Sequence, residues 1–583
     1  MSGMTKSGAA SRPPRFSPRK GLAVGLCAGL VLLAACGGNK ATGGNASSGG
    51  TLTFLTQSAQ ILHLDPQRNY TGEDLAFASG YLHRTLTAYK ISSNSDSAGQ
   101  IVPDLATDTG TSSDGGRVWK FTLRDGVKWE NGQPVTCADV KYGVSRTFAT
   151  SVITDGPTYA ISLLDIPSAK DGSSVYKGPY VTTGNDQAAY DKAVSCSGST
   201  ITFRLKQPQG DFNYTVTLLS FSPVPQAFDS GEKYDDRPLS DGPYKILSYK
   251  KKTKLVLVRN PDWSSSTDSY RPAYPDRIEY LFGIQDAIIT ERLIADAGDD
   301  QRSLSPDSID SAKLASVFGD SRLKDRRFNE LDPYVRYYAI NTTKVPELKH
   351  RQAILAAVDR AQLRKIAGGT YAGDYADGVV KPNLALDYSP TGLWDTLLGK
   401  AIPPEGDAAY AKTLIKESGK PFPNPITIDY PKSPENDKAA ASLVASLAKA
   451  GIIAKPNGLE PGSYYGIVLD PAKQGAMSAA GWGPDWLNAS TVIPELFTPA
   501  GGFNLSRYDN AAFTKACQDA RALTDRTAQA KKWQELDKQA AGAALVLPTR
   551  FGREQRLVGS KVVGAYIWSP YGSWPYAVLA VAK

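Results

Sequence analysis

The stretch "SAAGWGPDWLNAS" (478–490) sets one carboxylate, Asp485, between Trp482 and Trp486 in a run that is otherwise small or apolar. An ionised carboxylate removed from water costs several kcal/mol unless a cation or good donors meet it, so this Asp needs a partner. Two chemistries supply one. Asp485 could accept backbone amides in the Gly483-Pro484 turn, with both tryptophans serving as core. Alternatively, it receives a ligand cation beside an aromatic wall.

Other reactive residue types are thinly spread. The chain holds three histidines, His63, His83 and His350, far apart in sequence, and carries no GxSxG, HExxH, Walker loop, CxxC or HxxxH. Neither catalysis nor a transition-metal site is favoured, and no cofactor is implied. Of five cysteines, Cys27 and Cys36 fall in the N-terminal segment, leaving Cys137, Cys196 and Cys517. Cys137 and Cys196 share the N-terminal half and are the expected disulfide in an oxidising compartment; Cys517, in "AAFTKACQDARAL", reads as a buried free thiol.

That compartment is read from the start of the chain. Arg12, Arg15, Arg19 and Lys20 precede "GLAVGLCAGLVLLAA", an apolar run too short for a comfortable membrane span. Residues 1–35 are therefore an export signal. It ends in Leu33-Ala34-Ala35-Cys36, which resembles the lipobox of bacterial lipoproteins and implies lipidation at Cys36, with a Gly/Ser/Asn-rich tether over 36–50. The signal holds five basic residues, Lys6 and the four above, and no acid, so the formal net charge falls from +8 to +3 on its removal. No basic cluster elsewhere points to nucleic acid.

The elements that must position Asp485 follow from periodicity. "TLTFLT" alternates as a strand, and Leu75, Ala78, Leu82 and Leu86 have helical spacing. "RVWKFTLRDGVKWENGQPVTCADVKYGVSRTFA" reads as a hairpin followed by a helix capped by Thr136 with Asp139 three residues on. Residues 150–199 are poorly periodic. After "VRYYAINTTK", a strand, "ELKHRQAILAAVDRAQLRKIAGG" reads as one amphipathic helix, and helix and strand then alternate as in a mixed α/β lobe. A long helix over "AAFTKACQDARALTDRTAQAKKWQELDKQAAGA" has a break signal at Thr524-Asp525, and the chain closes on a Gly/Trp/Tyr-rich tail. Roughly 550 mature residues exceed one core, so two or three domains are expected.

Four blocks stand in order along the chain: "VPDLATD" with "WKFTLRDGVKWENGQPVTCADVKYGVSRTF", "DGPYKILSYKKKTKLVLVRNPDW", "YYAINTTKVPELKHRQAILAAVDRAQL" and "GWGPDWLNA". Together they resemble the extracellular solute-binding proteins of family 5, lipoproteins that deliver peptides and related solutes to ABC importers. Cys137 replaces the family's usual small residue, the insert between Asp155 and Ser199 lies outside its pattern, and Glu347-Leu348-Lys349-His350 departs from its turn.

The resemblance implies a two-lobed α/β fold of the periplasmic-binding-protein type with a hinged ligand cleft. Lobe I would span 51–327, with an extra subdomain at about 91–220, lobe II 328–547, and the tail 548–583 would return to lobe I. Hinge crossings would fall near "NELDPYVR" and "LPTRFG". Asp485 would receive a peptide's N-terminal ammonium, with Trp482, Gly481, Trp486 and Asn504 completing the ligand-binding set. The implied protein is not an enzyme. It is a monomer, lipid-anchored at the outer face of the cell membrane, whose partners are a small peptide and ABC permease subunits. The same fold could instead carry a metal chelate or glycan, or act as a peptide-signal receptor without import.

Overall fold

In "TLTFL" the threonines are half-buried while Leu52 and Phe54 are fully enclosed, the period of a strand with one face on a core. The computed structural model of the chain describes residues 46–583; the signal, Cys36 and most of the tether lie outside them. Strand 51–55 is second in a five-stranded sheet ordered 303–304, 51–55, 277–281, 254–259, 244–250. It runs parallel to both neighbours, whereas the other pairings are antiparallel. A second, six-stranded sheet has the order 373–375, 546–557, 327–340, 477–482, 426–431, 454–459. A four-stranded antiparallel sheet, 111–113, 118–122, 200–204, 194–197, stands apart from both. The fold is mixed α/β and two-lobed, with a smaller sheet added to the first lobe.

Local signals placed several elements. Thr136 Oγ1 accepts the Asp139 amide while the Asp139 carboxylate accepts the Thr136 amide at 2.8 Å, a reciprocal cap on helix Cys137–Arg146. That helix begins at Cys137, which is disulfide-bonded to Cys196 with Cα atoms 6.0 Å apart; Cys517 is free and buried. Asp525 caps helix Arg526–Gly542, separating it from Ala511–Ala522 at the expected break.

Two expectations are corrected. The helix with Leu82 and Leu86 on its face stops at Tyr81. Beyond it, Arg84 is drawn into a buried position where its Nε meets Asp104 at 2.8 Å and its backbone amide donates to Asp241, and tertiary pairing overrides the spacing. The "ELKHRQAILAAVDRAQLRKIAGG" stretch is two helices, Leu348–Ala357 and Arg360–Ile366, because Asp359 turns its side chain to cap the second. The first is buried along nearly its whole length rather than amphipathic.

Strands Arg327–Ile340 and Val546–Leu557 form a long antiparallel ribbon, so a boundary at 547/548 falls inside a strand. Register shifts between Leu331 and Val335, leaving Asp332, Pro333 and Tyr334 bulged against Gly552. Lys381, 1% exposed, fills the gap: its ammonium donates to the carbonyls of Asp332, Tyr334 and Gly552 and to Asp332 Oδ1. Burial lowers its pKa to about 8. Beyond Leu557 the tail packs near strand 51–55, where Tyr576 stacks on Phe54 and donates to Glu73. Among the described residues, no helix is long and apolar enough to cross a membrane.

Candidate ligand-binding site

Strand Met477–Trp482 pairs with Arg327–Ile340 and carries the chain to the interlobe cleft. There the Trp482 indole donates to the Thr491 carbonyl at 2.8 Å and the Asp485 amide to Thr491 Oγ1 at 3.2 Å, which fixes the intervening turn. The Asp485 carboxylate does not serve that turn. Its Oδ1 accepts from the Tyr70 hydroxyl and its Oδ2 from the Tyr159 hydroxyl, and both tyrosines come from the first lobe. It forms no ion pair with Lys, Arg or His among the described residues. Burial raises its pKa to about 6, opposed by the two phenol hydrogen bonds and reinforced by the charge of Glu495. Burial and the Asp485 charge push both phenols up in turn, so they stay protonated donors.

Asp485 opens on a cavity of about 320 Å3 whose wall is largely aromatic: Tyr70, Tyr334, Tyr465, Trp482, Phe503 and Tyr571. Trp482 and Phe503 have ring centroids 4.7 Å apart, and Tyr465 meets Phe503 edge-on at 5.4 Å. A second cavity of about 370 Å3 shares Tyr334, Tyr465 and Gly481 with the first and holds Arg336 and Arg550. The two are ends of one cleft. Gly481 lies at their junction, where a Cβ would come within 2.9 Å of Arg336 Nη1, so the missing side chain makes room for that guanidinium.

Of the five residues expected to bind ligand, Asp485, Trp482 and Gly481 line the cleft. Trp486 does not. It is buried beneath, its indole donating at 2.8 Å to Asp211 of the first lobe and its ring edge-on to Tyr159 at 4.8 Å. Asn504 is also turned away: its amide donates to the carbonyls of Thr498 and Tyr508, and its carbonyl accepts from Ser506 Oγ and the Tyr508 amide, holding a loop whose neighbour Phe503 forms the wall. Sequence reasoning missed Tyr70, Tyr159, Tyr334, Arg336 and Arg550. Tyr159 sits in the poorly periodic 150–199 stretch, where no pattern marks it. No group of three or more His, Cys, Asp or Glu among the described residues could hold a metal ion.

The sequence profile of the bacterial extracellular solute-binding proteins, family 5 Middle, matches residues 100–504. The chain is 26% identical over 450 residues to the periplasmic murein peptide-binding protein MppA of Escherichia coli (strain K12), covering 75% of this chain and 77% of that one. It is 26% identical over 483 residues to the periplasmic oligopeptide-binding protein OppA of Salmonella typhimurium, covering 77% and 79%. Among solved structures it resembles the clavulanic acid biosynthesis oligopeptide binding protein 2, with a TM-score of 0.82 at 26% identity over 92% of this chain and 96% of that one.

Proposed function

The chain belongs to the bacterial extracellular solute-binding proteins of family 5, and from that premise we propose that it captures peptides in its interlobe cleft and delivers them to an ABC importer. The observation that carries the reading is Asp485, a carboxylate on the cavity wall whose partners are two phenols and no basic residue among the described ones. Two hydroxyl donors keep it from being stranded while leaving acceptor capacity on both oxygens. A peptide's terminal ammonium would use that capacity and lie against the rings of Tyr70 and Trp482, whose faces favour a cation. The rest of the aromatic wall accepts side chains with little chemical discrimination. Opposing lobes bind the ligand between them, so capture favours the closed form that a permease could recognise.

In the same reading residues 1–35 are removed, Cys36 carries the lipid, and residues 36–50 tether a monomeric binding protein outside the membrane. A Cys36→Ser protein should then be shed or keep its signal; a mature-size variant that stayed on the membrane would refute the anchor. The capture reading is tested by mass spectrometry of whatever co-purifies from a host cytosol or medium. Peptides released on denaturation support it, whereas a single non-peptide solute overturns it.

A further inference from the structure

Arg336 and Arg550 are directly opposite each other on neighbouring antiparallel strands, and both line the 370 Å3 end of the cleft. Like charges placed face to face across a ladder destabilise it. A guanidinium cannot relieve the repulsion by losing its proton at neutral pH. The surroundings do little to offset it. Arg550 forms no ion pair among the described residues, and burial together with the Arg336 charge lowers its pKa, while Glu435 and Asp332 act on it only at longer range. Arg336 reaches Asp332 at 3.6 Å, but that carboxylate is already held by Lys381 at 2.9 Å. Its guanidinium lies 4.7 Å from the centre of the Tyr334 ring and over Gly481, which orients the group without neutralising it. The residues lining this end include no Asp or Glu.

Two cations held side by side with no acid on the wall match a ligand end that carries two negative charges. We infer that this end of the cleft selects peptides that finish in Asp or Glu, with the terminal carboxylate and the acidic side chain each meeting one guanidinium. The inference rests on the peptide reading, because Asp485 at the other end fixes the direction in which a peptide lies. A single carboxylate would leave one guanidinium facing its neighbour uncompensated. Charge-assisted hydrogen bonds from both reward the second acid beyond simple attraction.

The test is calorimetry of the purified protein with peptides of two to five residues in matched pairs, an alanine run ending in Glu against the same run ending in Gln. The Glu peptide of the best-bound length should bind at least about tenfold more tightly. In Arg550→Gln and in Arg336→Gln, each checked for an unchanged melting transition, that preference should shrink to about twofold or less, whatever affinity each variant loses for the Gln peptide through its terminal carboxylate. Glu and Gln peptides bound alike by the unaltered protein, or a preference that survives in both variants, overturns the inference and leaves peptide capture standing. Failure of every peptide to bind overturns the peptide reading, and the inference with it.

Discussion

Trp486 donates its indole N–H across the lobe interface to Asp211, a carboxylate 1% exposed to solvent. Ser490 donates to the same oxygen, and the Leu487 amide donates to the Tyr89 hydroxyl at 2.9 Å. The segment that follows Asp485 is thus fastened to the first lobe on its buried side, while Asp485 meets Tyr70 and Tyr159 on the cleft side. The tryptophan expected to touch ligand instead holds the lobes together beneath it.

Removing that fastening tests its weight. Asp211→Ala leaves the Trp486 and Ser490 donors buried without an acceptor in the closed form, at a cost of about 1–3 kcal/mol, whereas water satisfies them once the lobes part. Small-angle scattering of the unliganded variant should show a larger radius of gyration, and peptide affinity should fall by roughly 5- to 150-fold. An unchanged scattering profile with normal affinity would mean the contact bears no load.

Asp485→Asn keeps the shape and removes the charge. Losing one partner of a buried charge pair costs about 2–5 kcal/mol, so affinity for a free peptide should drop by roughly 30-fold to several thousand-fold. An N-acetylated peptide should bind the unaltered protein poorly, and the variant should no longer distinguish the two. Calorimetry of both peptides with both proteins measures the coupling, and a value near zero with intact folding would remove Asp485 from the binding site.

Affinity should also depend on pH. Burial raises the Asp485 carboxyl from 3.8 to about 6, so between those values the unliganded fold holds a proton that the unfolded chain has released. That contribution to stability is full below the lower value and is lost as pH rises through the upper one. An ammonium needs the ionised form, so affinity should rise over the same interval, with a proton released on binding. Titrations in two buffers of different ionisation heat count that proton; an equal count in Asp485→Asn would assign it elsewhere.

The disulfide closes a loop between residues 59 apart, which the chain-entropy account values at about 4 kcal/mol. Replacing both Cys137 and Cys196 by Ser should therefore lower unfolding free energy in denaturant by about 2–5 kcal/mol. Peptide mapping of the denatured, unreduced protein checks the bond directly, since two freely alkylating thiols would exclude it.

What could be read from the chain was chemistry complete within a few residues. The Thr136 and Asp139 cap, the Asp525 break and the Leu52/Phe54 alternation each carry their cause locally, and each is found in place. The helix drawn through Leu86 failed because Arg84 answers to Asp104 and Asp241, partners supplied by other segments. The same division runs through the site. Asp485 stands out as a lone acid in an apolar run, but its partners lie 415 and 326 residues away, and nothing near Tyr70 or Tyr159 announces the pairing. Arg336 and Arg550 are ordinary residues until strand register sets them opposite one another.

Lys381 lines neither cavity, yet its ammonium holds the bulge that points Tyr334 into the cleft and ties both strands of the interlobe ribbon around it. In a genetic screen for loss of ligand capture, alleles at position 381 would fall into the same phenotypic class as alleles at Asp485. Second-site suppressors separate the two. A lesion at 381 can be compensated by a new donor near Asp332 and Gly552, whereas one at 485 requires a replacement charge inside the cleft itself.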